Sequence, residues 1–189
     1  MSITTLSASN IRIVAVLTIA LATMLLVACG SDGGGSSSGA EIPQVVAGDR
    51  TYTIEDFRSA NGVKVVKDYD VDELPGATGA WNAIFNQLDY EVRFYGSHED
   101  ALAEGTRYAD SVTGEDAVVT GDEVLWEEGR KDRRKCSRAA QTPHSSCTYS
   151  ARYLEYVIRG NMILFCEGDE SSDAFQNCEK LMAAIDTPA

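Results

Sequence analysis

Three groups of side chains in this chain have types and spacing that could do chemistry: five cysteines, two histidines and one dense basic run. Cys136, His144 and Cys147 fall within twelve residues, close enough to share a metal ion. Zinc wants four ligands, or three and an open position. Here a further ligand would have to come from far along the chain, and the CxxC spacing is absent. A disulfide between Cys136 and Cys147 is the simpler use of these thiols in an oxidising compartment. His98 lies in the first turn of an expected helix, on an exposed position. The chain has no G-x-S-x-G, no H-E-x-x-H and no glycine-rich phosphate loop. Its 29 Asp and Glu residues are too many for any one to be marked as catalytic by position. No catalytic residue, metal ligand or cofactor site is therefore assigned.

The basic run is Arg130-Lys131-Asp132-Arg133-Arg134-Lys135, with Arg138 just beyond it. One reading is a solvated loop that balances Asp122, Glu123, Glu127 and Glu128 before it. The other is a local anion site for lipid headgroups or an acidic glycan.

Cys29 belongs to a different context. Residues 1–28 hold one charged side chain, Arg12, and the run from Ile13 to Val27 is apolar apart from two threonines. A short basic region followed by such a run has the form of a secretory signal. As a helix it would reach about 22 Å, short of the roughly 30 Å hydrocarbon core of a bilayer. Leu26-Val27-Ala28-Cys29 resembles the lipobox of bacterial lipoproteins, in which a small residue precedes a lipid-modified cysteine. The resemblance covers about the first thirty residues. It implies diacylglyceryl transfer to the Cys29 thiol, cleavage before Cys29, and anchoring through two or three acyl chains, palmitate among them. Gly30 after the cysteine would permit outer-membrane sorting in a host with two membranes.

Three regions follow: a signal peptide over 1–28, a lipidated cysteine with a Gly/Ser tether over 29–40, and one extracytoplasmic domain over 41–189. The tether reads GSDGGGSSSG from Gly30 to Gly39 and has no core-forming residue. The remaining length is that of one domain with a real core. The full chain carries a formal charge of −13, and loss of Arg12 with the leader takes it to −14. A surface that acidic argues against nucleic acid as a partner. Setting Cys29 aside leaves Cys136, Cys147, Cys166 and Cys178, an even number suited to disulfides. Short loops favour pairing 136 with 147 and 166 with 178.

Elements follow from periodicity. Ser97 caps a helix in which Ala101, Leu102, Gly105, Tyr108, Ala109 and Val112 recur at helical spacing, stopping near Gly114. Before it, Tyr90 to Tyr95 alternates as a strand, with Tyr90, Val92 and Phe94 on one side and Glu91 and Arg93 on a wetter side. Tyr153 to Ile158 and Met162 to Glu167 form a hairpin through Arg159-Gly160-Asn161 with a type II′ turn. A terminal helix buries Ala174, Phe175, Cys178, Leu181, Met182 and Ile185, capped by Ser172 or Asp173. Thr53 starts a short helix through Phe57, and Val63 to Val66 reads as a strand. Leu74-Pro75-Gly76 leads into an expected helix through Trp81, Ile84 and Phe85. Ala117 to Thr120 and Glu123 to Trp126 could pair through Gly121-Asp122. Glu127 to Ser150 reads as a polar loop. The assembled expectation is α+β: a small, mainly antiparallel sheet with helices packed mostly on one face. This order of elements is loosely similar to the extracellular sensor domains of mycobacterial Ser/Thr kinases and related lipoproteins. No functional residue is carried across from them.

The hairpin carries the functional expectation. Leu154, Tyr156, Ile158, Ile163 and Phe165 fall on one side of it, and the terminal helix can cover only the other. An uncovered aromatic and aliphatic face would be a groove for a small apolar ligand or an envelope protein. The sequence thus suggests a membrane-anchored lipoprotein acting as a binding module of the cell envelope. The alternative is an envelope hydrolase with carboxylates that the sequence does not identify.

Overall fold

The computed structural model describes residues 42–135 and 150–187. The architecture is α+β, with one six-stranded, mostly antiparallel sheet and a few helices. The strands are β1 (Val45–Val46), β2 (Lys64–Tyr69), β3 (Ala77–Phe85), β4 (Leu88–Tyr95), β5 (Tyr153–Arg159) and β6 (Met162–Glu167). The order across the sheet is β1-β5-β6-β4-β3-β2. Only β1 runs parallel to its neighbour; every other pairing is antiparallel. The helices are α1 (Ile54–Ser59), α2 and α3 (Ser171–Asp186). The α2 helix joins the α-helical turns His98–Asp100 and Thr106–Asp110 through a π-helical turn, Ala101–Gly105.

Alternation along the strands sorts the core into two layers. Tyr90, Val92, Phe94, Val157, Met162, Leu164 and Cys166 face α1 and α3. From α3 come Ala174, Cys178, Leu181, Met182 and Ile185, the stripe expected from the sequence apart from Phe175, which is only partly buried. A Cys166–Cys178 disulfide ties β6 to α3, as the short-loop argument expects. The other face of the sheet carries Tyr156, Ile158, Ile163 and Phe165, covered by Ala101, Ala109 and Val112 around α2. Two helices therefore lie on one face and the third on the other. The Cys136–Cys147 pair lies outside the described residues.

Several local expectations hold. Ser97 Oγ accepts a hydrogen bond from the Asp100 amide, capping α2. The Asp56 carboxylate accepts the Thr53 amide at 2.7 Å and fixes the start of α1. Three differ. Residues 77–85 form a strand, because Asn86 and Gln87 both take positive φ and turn the chain directly back into β4. Trp81, Ile84 and Phe85 have helical spacing, but sheet pairing on both sides of β3 overrides it. Residues 117–126 form no hairpin; Val119 and Trp126 are instead buried from irregular backbone. The α3 helix starts at Ser171 with Glu170 at its cap, since the Ser171 and Ser172 hydroxyls donate to Glu155 and Glu170.

The β5–β6 turn does more than reverse the chain. Gly160 has φ +49 and sits against the Arg50 carbonyl, closer than any Cβ would allow. Asn161 is buried; its amide donates to the carbonyls of Tyr52 and Tyr95, and its oxygen accepts the Tyr52 amide. Arg159 donates to the carbonyls of Pro43 and Gln44. Arg-Gly-Asn at this tip thus clamps residues 43–52 to the sheet. Replacing Gly160 by Ala should cost about 2 kcal/mol or more in denaturant unfolding. Gly121→Ala, at φ +86 in open space, should cost only about 1 kcal/mol. Equal losses would show that backbone contact at the tip contributes nothing.

Candidate functional site

The expected groove face is closed. Ile158, Ile163 and Phe165 are fully buried and Tyr156 is 4% exposed. The cover comes from α2 and from residues 117–126. The Tyr156 hydroxyl donates to Asp110 at the end of α2 at 2.6 Å, bracing helix to sheet. Leu154 is not on this face at all. A bulge between Tyr153 and Glu155 adds one residue to β5, which sends Tyr153 to this layer and the half-buried Leu154 to the opposite one. An open apolar groove over the five residues is therefore ruled out: four are buried, and Leu154 lies on the other layer.

The same face holds a polar centre that the sequence reading placed in water. Glu91 and Arg93 are two residues apart on β4, so they share a side, and both are fully buried. Arg133, from the basic run, is 1% exposed and joins them. Arg93 Nε donates to Glu91 Oε1 at 2.7 Å, and Arg133 Nε donates to Oε2 at 2.8 Å. The remaining nitrogens of Arg133 donate to the carbonyls of Trp126 and Glu128 at 3.1 and 2.6 Å. The Trp126 ring centre lies 4.2 Å from the Arg133 guanidinium carbon and 5.0 Å from that of Arg93. Phe165 presents its ring 4.2 Å from the Arg93 guanidinium carbon. Two of the aromatic side chains here, Trp126 and Phe165, thus pack against cations and do not line an open apolar groove.

Electrostatics follow from this geometry. Burial raises the Glu91 pKa, but Arg133 and Arg93 outweigh it and hold the carboxyl below its ordinary value. Burial lowers the Arg93 pKa and Glu91 only partly opposes it, so Arg93 ends below its ordinary value. Burial raises the Tyr153 and Tyr95 hydroxyls. A carboxylate gripped by two guanidiniums stays ionised, which is the opposite of what a general acid needs. Asp56 is also shifted down: burial raises it, and hydrogen bonds from Thr53 and Arg50 more than reverse that.

Of the other described basic residues in the run, Lys131 is exposed, whereas Arg130, Arg134 and Lys135 are half-buried. Arg130 pairs with Glu127, and Lys67 with Asp132, around a hollow of about 300 Å³ lined by Lys67 and residues 127–132. A second hollow of about 270 Å³ lies between residues 47–51, 96–99 and Asn161. Its wall includes His98, which is half-buried, its Nδ1–H donating to the Gly160 carbonyl at 2.9 Å. Among the described residues no cluster of His, Cys, Asp and Glu could hold a metal ion. Cys29, Cys136, Arg138, His144 and Cys147 lie outside the described residues.

A family model described as "Family of unknown function (DUF6810)" matches residues 53–187. The chain belongs to this family. No curated protein matches the chain, and no solved structure matches it. The DUF6810 span runs from the cap of α1 to the end of α3, so it contains the Glu91 cluster and the Cys166–Cys178 disulfide. Within it, the sequence reading missed Arg133 and Trp126 as interior residues. The available signal was the Glu91/Arg93 pair itself: opposite charges two apart on a strand can neutralise each other and enter a core.

Truncating Arg133 to Ala should cost about 3–5 kcal/mol, because Glu91 is left buried with one partner fewer. Arg130→Ala, which breaks a surface pair, should cost less than about 1 kcal/mol. The pH dependence has a defined sign. The folded pKa of Glu91 is depressed, so its contribution is complete above the unfolded pKa near 4.5 and is lost as pH falls through the lower folded value. Glu91→Gln should therefore flatten the acid limb of the stability curve, read by urea unfolding at stepped pH. An unchanged acid limb would exclude Glu91 as a major source of it.

Proposed function

We propose that this chain is a lipoprotein, anchored by lipid on Cys29 to a bacterial membrane, whose α+β domain acts as an interaction module of the cell envelope. The observation that carries the proposal is Leu26-Val27-Ala28-Cys29 at the end of a fifteen-residue apolar run. The Cys166–Cys178 disulfide agrees with an oxidising compartment. Among the described residues no helix is long and apolar enough to cross a membrane.

Closure of the sheet face moves the interaction to the outer surface. There the net charge of −13 favours a partner that presents basic groups, and steering by such charge weakens with salt. The hydrolase alternative needs one carboxyl kept protonated; among the described residues the two shifted carboxyls, Glu91 and Asp56, both move the other way.

The anchor is tested by Cys29→Ser expressed in a bacterial host fed labelled palmitate. The wild-type chain should take up label and lose its first 28 residues, whereas the variant should remain unlabelled at precursor mass. A variant that is cleaved at the same bond and still sediments with membranes would refute lipid anchoring at Cys29.

A further inference from the structure

The charges of the buried cluster do not balance. Glu91 supplies one negative charge against the two guanidiniums of Arg93 and Arg133, all at most 1% exposed. Both Glu91 oxygens are already taken. Arg133 has a partner for each nitrogen, but Arg93 does not. Its Nη2 lies 2.7 Å from Glu91 Oε1 at an angle that makes no hydrogen bond, and Nη1 has no acceptor among the described residues. Nearby acids are engaged elsewhere: Asp132 by Lys67 and Tyr69, and Asp89 by Arg152. Glu104 is exposed.

The unsatisfied groups in this layer are rich in donors. Trp126 Nε1, whose ring faces Arg93, is buried without a partner, and so are the hydroxyls of Tyr95 and Tyr153. Tyr95 lies beside Arg93 along β4, close enough for the guanidinium to oppose the rise in its pKa. The Tyr153 ring is 5.9 Å from Phe165, which itself stacks on Arg93. An indole N–H and a guanidinium N–H can only donate, whereas each hydroxyl can donate or accept but brings no charge. A surplus of donors with one surplus positive charge, inside a dry layer, calls for an acceptor that brings negative charge.

We propose that Arg93 Nη1, together with Trp126 Nε1–H, forms a closed binding site for a small monovalent anion of the halide or nitrate class. The anion completes the charge balance beneath the 117–135 segment, and it rests on no assumption about the lipid anchor.

Trp126 supplies the readout. The chain has two tryptophans, so Trp81→Phe leaves Trp126 as the sole emitter. The full chain carrying that change, purified in detergent, is titrated with sodium bromide against sodium gluconate at constant ionic strength. Bromide at the site should quench Trp126 along a saturating curve, and nitrate should compete for it. Adding Arg93→Met, which removes the charge but keeps the stem, should weaken apparent affinity by at least about tenfold. A linear or flat titration overturns the proposal, as does saturable quenching that survives Arg93→Met. Should Arg93→Met fail to fold by circular dichroism, bromide-grown crystals of the Arg93 protein decide. An anomalous peak in hydrogen-bond reach of Nη1 supports the site, and a water there without anomalous signal overturns it.

Discussion

Glu91 sits between two arginines from distant parts of the chain, and the arrangement of one whole face depends on that grip. A lone carboxylate at this depth would be strongly destabilising, and so would a lone guanidinium. Each makes the other's burial tolerable only while the geometry holds. Arg93 is fixed by the strand that carries Glu91. Arg133 must be delivered by a segment with no regular structure. Its bonds to the carbonyls of Trp126 and Glu128 shape that segment as they hold the arginine. The ion pair thus ties the irregular chain from Trp126 to Arg133 to the sheet through contacts at defined points.

The two sheet faces are closed by different physics. Under α1 and α3 the layer is apolar, interdigitated and tied by Cys166–Cys178. Burial of hydrocarbon does that work, and the exact path of the covering helix follows from its stripe. On the other face the cover is a helix with a π-turn plus irregular chain, and directional contacts replace the missing ladder. Tyr156 braces α2 through Asp110, Arg133 holds the Trp126 segment, and Tyr69 meets both Trp126 and Asp132. At the sheet end, the Arg159-Gly160-Asn161 tip does the same for residues 43–52. Irregular segments here are held by buried polar side chains that satisfy their backbone groups.

Most regular elements were legible in the sequence, and the reasons are physical. Helices α1 and α2 announce themselves by their caps, α3 by its apolar spacing, and β4, β5 and β6 by alternation. The Gly160 turn was legible because glycine reaches positive φ at the least steric cost. Residues 77–85 misled because Trp81, Ile84 and Phe85 mimic a helical stripe, while the turn at Asn86-Gln87 has no strong signature. The side of β4 bearing Glu91 and Arg93 misled for a different reason. Charge on a strand ordinarily marks its wet face, and the partner that reverses this lies 42 residues from Glu91 in a run of arginines and lysines. Nothing local distinguishes Arg133 from Arg130. The candidate groove was placed on the face that does hold the polar centre, but its openness could not be read, since the cover comes from irregular chain.

The central claim is that the Glu91 charge pins the 117–135 segment to the sheet. Hydrogen exchange, read by mass spectrometry peptide by peptide, tests it in Glu91→Gln at neutral pH. Amides across 117–135 should lose protection while those of β5, β6 and α3, which belong to the apolar layer, keep theirs. If the segment exchanges as in the unaltered protein, or if protection falls uniformly across the sheet, Glu91 does not hold that segment in place.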